Sequence, residues 1–532
     1  VDLKTVKKEP GAGNRFPETG PVALNQEQKN AAETVIRDYD SGQRNTYLLY
    51  GITGSGKTEV YMELINYVLR KGRQAIVLIP EISLTYQTVM RFYRRFGNRV
   101  GIMNSRLSAG ERYEQSERAA NGEIDIMIGP RSALFTPFPD LGLIIIDEEH
   151  EGAYKSETAP RYDAREVAKV RADMSRAAVV LGSATPSVES YYLAEQGEYK
   201  LLTLTKRAKE NSRLAGVHIV DLREELAEGN RSIFSRRLKG LIEDRLANRQ
   251  QVMLFMNRRG YAGFVSCRSC GKAMKCPHCD VSLTYHKNGR LKCHYCGFER
   301  PLPDRCPSCG SPFIAPFGTG TQKLEEFTKR EFPKARILRM DADTTAKKGT
   351  HEEILATFAE GGADILIGTQ MIVKGHDFAN VTLVGVMAAD LSLYAPDYKS
   401  AERTFELLTQ ASGRAGRGEL QGDVVIQTYA PDHYAVSSAA EQDYLQFYRQ
   451  ELLYRKMMGY PPLVRLLTIG LSSKREADVI RASEDMKRVI LREYALDGLK
   501  VIGPVEDSPY KLNDNYRKIL YMKHESYDIL LK

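Results

Sequence analysis

From Leu24 onward the apolar positions switch repeatedly between two periods. A short apolar run at 47–50 reads as a strand and is followed by a glycine-rich turn. The next apolar positions are Val60, Tyr61, Leu64, Ile65, Val68 and Leu69, the one-face spacing of a helix, which Gly72 stops. Another strand is predicted at 75–79, and helix and strand alternate to about residue 200. Short apolar strands alternating with helices predict a mostly parallel sheet covered on both faces. A second set of this kind begins near Arg236, with strands predicted at 252–256, 337–340, 365–368, 383–387 and 424–428. The last hundred residues read as a small α/β unit. There Val479, Ala482, Met486, Val489 and Ile490 mark the predicted inner face of a helix between strands near 463–471 and 499–503. The boundaries that follow are a linker at 1–21, a first lobe at 22–205 and a second lobe opening at 206–261. A cysteine-rich insertion at 262–316, the rest of the second lobe at 317–436 and a C-terminal domain at 437–532 complete the chain.

Composition narrows the class. The chain has 532 residues, 42% of them apolar and 27% charged, which excludes wholesale disorder and a collagen-like fibre. No apolar run approaches the roughly 20 residues of a membrane-spanning helix. A net charge of +8 over this length only mildly favours a polyanionic partner. All eight cysteines lie between 267 and 309, which is not the scatter of a disulfide framework. Such cysteines point to a reducing, cytoplasmic setting. The chain opens on Val1, and the expectation is of a fragment of something longer.

Candidate chemistry begins at Gly51-Ile52-Thr53-Gly54-Ser55-Gly56-Lys57-Thr58, which fits G-x-x-x-x-G-K-[ST] between a strand and a helix. Glycines turn backbone N–H groups inward onto phosphate oxygens, and the helix N-terminus adds its positive dipole. Lys57 then reaches the β- and γ-phosphates of ATP, and the Thr58 hydroxyl holds Mg²⁺. The partner carboxylates are expected at the end of the buried run 141–146, where Asp147 is the Mg²⁺ ligand and Glu148 orients the attacking water. In the second lobe, Arg414 and Arg417 stand three apart. Read as one helical face, they neutralise charge on the γ-phosphate as an arginine finger does.

The cysteines form four pairs: Cys267 and Cys270, Cys276 and Cys279, Cys293 and Cys296, Cys306 and Cys309. Each C-x-x-C shares one tetrahedral Zn²⁺ with a second pair, so four pairs make two closed sites. Spacing leaves the pairing open. An insert of this size has too little core to hold itself, so metal replaces it. With eight thiolates and two Zn²⁺ counted, the block's excess of Lys and Arg nearly vanishes, so it is no strong electrostatic clamp for DNA. Its expected role is structural, with His278, His286 and His294 as spare ligands.

The series LNQEQ (24–28), GITGSGKT (51–58), LIPEISLT (78–85), GPRSALF (129–135), DEEH (147–150), GSATPS (182–187), FMNRRGY (255–261), GTQMIVKGHDF (368–378) and QASGRAGRG (410–418) occurs in the order of superfamily 2 helicases. With the cysteine block between the seventh and eighth motifs, the chain closely resembles the PriA family of bacterial replication-restart helicases. DLSLYAPDYKSAER (390–403) and ELLYRKMMGYPPL (451–463) look like this family too. The resemblance runs from about Val22 to the C-terminus. The family's N-terminal DNA-binding region is without a counterpart here.

The resemblance implies two RecA-like parallel-sheet lobes with a two-zinc insertion in the second and a small C-terminal domain. It implies a DNA-dependent ATPase that moves 3′ to 5′ on single-stranded DNA, unwinds the lagging-strand arm of forked DNA and promotes primosome assembly and helicase loading. Primosome proteins and single-strand-binding protein are the implied partners, and a cytoplasmic, nucleoid-associated monomer is expected. Residue by residue, the resemblance sets the Gln28 amide on the adenine edge and adds Gly375 and Asp377 to the nucleotide site. Ser183 and Thr185 couple ATP state to DNA contact. Ser83, Thr85, Arg131, Ser132, Gln370 and Lys374 contact the tracking strand, a fitting task for hydroxyls and cations that hold phosphate without reading bases. The loop from Glu151 through Tyr154, Lys155 and Arg161 to Tyr162 resembles the family's aromatic-rich loop, with its tyrosines stacking exposed bases. Nested pairing of the cysteines is also implied: Cys267, Cys270, Cys306 and Cys309 on one zinc, Cys276, Cys279, Cys293 and Cys296 on the other. Two further readings remain: a duplex translocase or RNA helicase with the same lobes, and a non-catalytic primosome scaffold.

Overall fold

The computed structural model describes the chain except residues 1–21, 84–85, 106, 209–214, 257–263, 287–288, 317–319, 342, 346–349, 374–377, 396, 417–419, 495–497 and 532. The chain divides into two compact units. The first is Val1–Pro186 with Leu193–Glu210, and the second is Ser187–Tyr192 with Asn211–Lys532.

The first unit is built on seven strands, β1 (Thr46–Gly51), β2 (Gln74–Leu78), β3 (Val100–Ile102), β4 (Ile126–Gly129), β5 (Leu141–Asp147), β6 (Ala178–Ser183) and β7 (Lys200–Leu204). They pair in the order β3-β4-β2-β5-β6-β1-β7, all parallel. Every residue of β2, β4 and β6 is buried, and so is β5 up to Ile146. This explains why these strands read as continuous apolar runs: helices cover both faces. Val60, Leu64, Ile65 and Val68 of the helix Lys57–Arg70 pack on that sheet with Val77, Leu143 and Ile145. Burying each such side chain stabilises by roughly 1.5–3 kcal/mol. Because β1 and β5 are adjacent to β6 on either side, the phosphate loop after β1 and the carboxylates after β5 emerge at the same, C-terminal edge.

The second unit holds a six-stranded parallel sheet. Its strands are β8 (Gly216–Asp221), β9 (Gln251–Phe255) and, after the insertion, β15 (Ile337–Met340), β16 (Ile365–Gly368), β17 (Val381–Val386) and β18 (Asp423–Thr428), in the order β15-β16-β9-β17-β18-β8. The edge strand β8 was not predicted. It opens on a glycine, is only half-covered, and His218 within it bonds the Asp423 carboxylate at 2.9 Å. Between β9 and the helix Thr321–Glu331 lies the insertion, with β10 (Val265–Cys267), β11 (Thr284–Tyr285), β12 (Arg290–Lys292), β13 (Glu299–Pro301) and β14 (Ile314–Pro316). These form a β10-β14 pair and a β11-β12-β13 sheet, both antiparallel.

The chain ends in an antiparallel sheet ordered β19-β21-β20, where β19 is Arg465–Ser473, β20 Lys500–Leu512 and β21 Asn515–His524. The helix Glu476–Glu493 packs on it through Val479, Ser483 and Ile490. The predicted inner face is therefore partly corrected. Ala482, Met486 and Val489 are exposed, because Ser483, too polar to be counted, occupies the buried stripe instead. Among the described residues no helix is long and apolar enough to cross a membrane.

Candidate nucleotide site and zinc centres

The loop after β1 shows why its glycines are required. Gly54 and Gly56 have φ of +79° and +81°, a region that costs any other residue. A side chain at Gly56 would also collide with the Gln28 amide. The helix Lys57–Arg70 starts with no side-chain cap, so the N–H groups of its first turn are left for an anion. Ser55, 1% exposed, has a hydroxyl without a protein partner. An uncapped helix start, a left-handed glycine turn and an orphaned buried hydroxyl fit a nucleotide's phosphates. Lys57 Nζ donates to the Gly51 carbonyl at 2.9 Å, so the cation is folded back on its own loop.

Gln28 belongs to a capping box at the start of the helix Gln26–Asp40. Its Oε1 accepts from the Asn25 N–H at 2.8 Å, and its Nε2 donates to the Ser55 carbonyl at 2.8 Å. The amide is thus tied to the phosphate loop, and its oxygen and its nitrogen each keep one further hydrogen-bonding position. Its demonstrated contact braces the loop. The same loop is held from outside by the Ala208 N–H, which donates to the Gly54 carbonyl at 2.9 Å.

Asp147 ends β5, and Glu148 follows with φ +49°. Burial, and then the charge of Glu148, push the Asp147 carboxyl up to about 6. A desolvated carboxylate beside a second one is what a divalent cation stabilises, so these residues fit Mg²⁺. His150 Nδ1 lies 2.7 Å from Ser183 Oγ, and Ser183 Oγ accepts from the Thr185 N–H at 3.0 Å. The segments DEEH and GSATPS are therefore joined directly.

Tyr154 is 1% exposed, and its hydroxyl lies 2.6 Å from the Asp147 carbonyl and 3.0 Å from that of Leu78. This corrects its expected role: the ring is packed under the strand ends and offers no face to a base. Other loop residues do reach the surface. Arg131 Nη1 donates to the Ala153 and Lys155 carbonyls at 3.0 Å each, which ties GPRSALF to this loop. Ser132, Lys155 and Arg161 are exposed, and Ser83 is half-buried. Beside them Phe135, 56% exposed, meets Tyr162 edge to face at 5.4 Å. Phe135 is not among the contacts expected from the sequence, since it reads there as the end of the apolar run that Ala133 and Leu134 begin.

In the second unit the helix Ser400–Ser412 ends with Gly413 as its C-cap, so Arg414 sits in a turn. The expectation of two arginines on one helical face is corrected to that extent. Gln370 opens the short helix Gln370–Val373 after β16. Thr85, Lys374, Gly375, Asp377 and Arg417 lie outside the described residues.

The cysteines gather into two groups, Cys267, Cys270, Cys306 and Cys309, and Cys276, Cys279, Cys293 and Cys296, with ligand atoms within 4.8 Å of one another. Sulfur separations of 3.5–3.6 Å recur in both. Four thiolates about 2.3 Å from a zinc lie roughly 3.8 Å apart, so each group fits one Zn²⁺. All four knuckles share a turn. The N–H of Gly271, Asp280, Gly297 and Gly310 returns to the carbonyl of the first cysteine at 2.8–3.0 Å, each with φ between +53° and +78°. The residue after every pair is therefore Gly or Asp, a signal in the sequence that went unused. The histidines enter neither group; His278 packs edge to face on Phe298 at 5.6 Å.

Two parallel sheets, one ending in a phosphate loop beside paired carboxylates, define a P-loop helicase core of the two-lobed kind. Comparison with known families narrows this. "Type III restriction enzyme, res subunit" matches residues 21–188, and "Helicase conserved C-terminal domain" matches 314–419. "PriA DNA helicase Cys-rich region (CRR) domain" matches 276–301, and "Primosomal protein N C-terminal domain" matches 456–532. The chain is 48% identical to the replication restart protein PriA of Bacillus subtilis, over 98% of its own length and 64% of that protein's. With the PriA of Treponema pallidum it shares 38% identity, over 96% of the chain and 76% of the relative. The chain belongs to the PriA family. Among solved structures, RecG bound to a three-way DNA junction matches 88% of the chain and 51% of its own at a TM-score of 0.50 and 17% identity, a likeness of fold.

Proposed function

We propose that the chain is the motor portion of an ATP-dependent DNA helicase of replication restart. It hydrolyses ATP in response to DNA, moves 3′ to 5′ on single-stranded DNA, unwinds the lagging-strand arm of forked DNA and promotes primosome assembly and replicative-helicase loading. The observation that carries this is the loop Gly51–Thr58 emerging at the same sheet edge as Asp147 and Glu148, in a chain of the PriA family. Thr58 and Asp147 would hold Mg²⁺, which would supply positive charge against the nucleotide's phosphates. Lys57 leaves the Gly51 carbonyl for phosphate, and Glu148 orients water. Arg414 and Arg417 neutralise γ-phosphate charge, with Gly375 and Asp377 completing the nucleotide's surroundings. Arg131, Ser132, Lys155 and Arg161 form a phosphate track on which Phe135 and Tyr162 meet bases, with Ser83, Thr85, Gln370 and Lys374 as further contacts. Single-strand-binding protein and primosome proteins are the proposed partners of a monomeric, cytoplasmic enzyme.

The test is steady-state ATP hydrolysis without nucleic acid and with single-stranded DNA, forked DNA or RNA, beside Lys57→Ala. Stimulation by DNA that Lys57→Ala lowers by at least about 100-fold is the expected result. Stimulation by RNA alone would replace the DNA reading, and hydrolysis unchanged in Lys57→Ala would remove the motor. Duplexes tailed only at the 3′ or the 5′ end then read polarity.

A further inference from the structure

Tyr61 lies one turn into the helix Lys57–Arg70, where its ring served the sequence reading only as an apolar position. The residue is 1% exposed, yet its hydroxyl leaves the apolar layer and donates to Asp147 Oδ1 at 2.9 Å. Two features show that this placement is built for. The residue facing the hydroxyl from β6 is Gly182, where any Cβ would collide with the Tyr61 oxygen. A strand interior in which every other residue is buried and mostly branched thus gives up a side chain at that one point. On the other side Tyr154 holds the Asp147 main-chain carbonyl at 2.6 Å. One tyrosine fixes the carboxylate and the other its backbone.

We infer that Tyr61 is a positioning residue: by holding Oδ1 of Asp147 it turns the other carboxylate oxygen toward the Mg²⁺ that accompanies the nucleotide. The inference rests on the nucleotide reading above and deepens it. Magnesium demands near-ideal octahedral geometry, so a carboxylate free to rotate is a poorer ligand than one already oriented. Groups that orient a metal ligand from behind typically change metal affinity 10- to 100-fold when removed. Glu148 is on the same edge and 32% exposed, while the Asp147 side chain is the one gripped from within the fold. The division of labour follows: Asp147 is held rigid for the cation and Glu148 is left room to meet water.

Tyr61→Phe keeps the ring and its packing and deletes only the donor. Binding of a fluorescent ADP analogue to the full chain is measured in EDTA and across a Mg²⁺ titration, together with the thermal midpoint. The expected result is unchanged affinity in EDTA, an unchanged midpoint and a roughly tenfold higher Mg²⁺ concentration for half-maximal tightening. Lys57→Ala, by contrast, weakens binding with and without Mg²⁺. Identical Mg²⁺ curves for Tyr61→Phe and the parent overturn the inference while leaving the nucleotide reading intact. A lowered midpoint with an unchanged Mg²⁺ curve overturns it equally, since a purely structural tyrosine gives that result. A parent chain that binds no nucleotide overturns the reading itself and the inference with it.

Discussion

The two four-cysteine groups are each made of two C-x-x-C pairs and have different surroundings. The group of Cys276, Cys279, Cys293 and Cys296 is wedged against the C-terminal domain. The Tyr460 hydroxyl donates to the Cys279 carbonyl at 3.2 Å, Tyr295 stacks on Tyr521 at 5.1 Å, and Lys292 pairs with Glu506 at 2.6 Å. Lys523 sits 3.8 Å over the Tyr460 ring, and Val505 lies against Gly297. Among the described residues, the group of Cys267, Cys270, Cys306 and Cys309 meets the second lobe through Gly271, whose carbonyl accepts from the Tyr394 hydroxyl at 3.3 Å. There Gly271 fits against the Tyr429 carbonyl where no side chain has room, while Cys309 is exposed and nearby Phe313 is 61% exposed. One group of thiols joins the insertion to the C-terminal domain, and the other sits where the insertion leaves the second lobe, against Tyr429 and Tyr394. The difference teaches that equal coordination chemistry carries unequal structural weight, set by what grips the knuckles from outside.

The largest effect should separate the two centres. Cys276→Ser with Cys293→Ser is expected to cost one zinc per chain and to release the C-terminal sheet, seen as loss of amide-exchange protection in 500–524. A structural Zn²⁺ is worth on the order of 10 kcal/mol. Cys306→Ser with Cys309→Ser should also cost one zinc yet leave that protection in place. Equal loss from both pairs would erase the distinction. A smaller effect is expected where the inner group meets the sheet: Tyr295→Ala removes the stacked ring and should lower stability in urea by about 2 kcal/mol.

The smallest effect is a pH dependence beneath the inner group. His433 caps the helix Tyr434–Glu441 by accepting the Ala435 N–H on Nδ1 at 3.2 Å. Burial, and then the charge of Lys275, hold its pKa down at about 4. A folded value below the unfolded one means stability present above about pH 6.5 and lost as pH falls toward 4. His433→Asn keeps a capping side chain and cannot titrate. Its urea-unfolding free energy should therefore fall less than the parent's between about pH 7 and about pH 5.5, by roughly 1 kcal/mol.

Much of this was legible from residue order. The strand at 365–368 falls where its apolar run does, because a strand buried on both faces leaves a continuous apolar signature. The phosphate loop was legible because left-handed glycines and a helix start can be met by few residue types. Edge strand β8 was not, since half-covered positions tolerate His218 and a leading glycine. Tyr154 was misjudged because type and motif say that a side chain has chemistry to offer, and only packing says which way it points.

The sequence by itself determined two parallel-sheet lobes, a nucleotide loop with its strand-end carboxylates, and a metal-held insertion. Each rests on local constraints, namely period, turn conformation and ligand spacing, that neighbouring residues express. Only the tertiary structure decided which cysteine pairs share a site, which group meets the C-terminal domain, and that Tyr61 serves Asp147. It also decided that Arg455, 0% exposed in the helix Tyr444–Met458, sits among Glu451, Glu402 and Glu189 at 2.8, 2.8 and 3.3 Å. A buried charge is tolerable only with its partners in place, and these come from three segments as far as 266 residues apart in the chain.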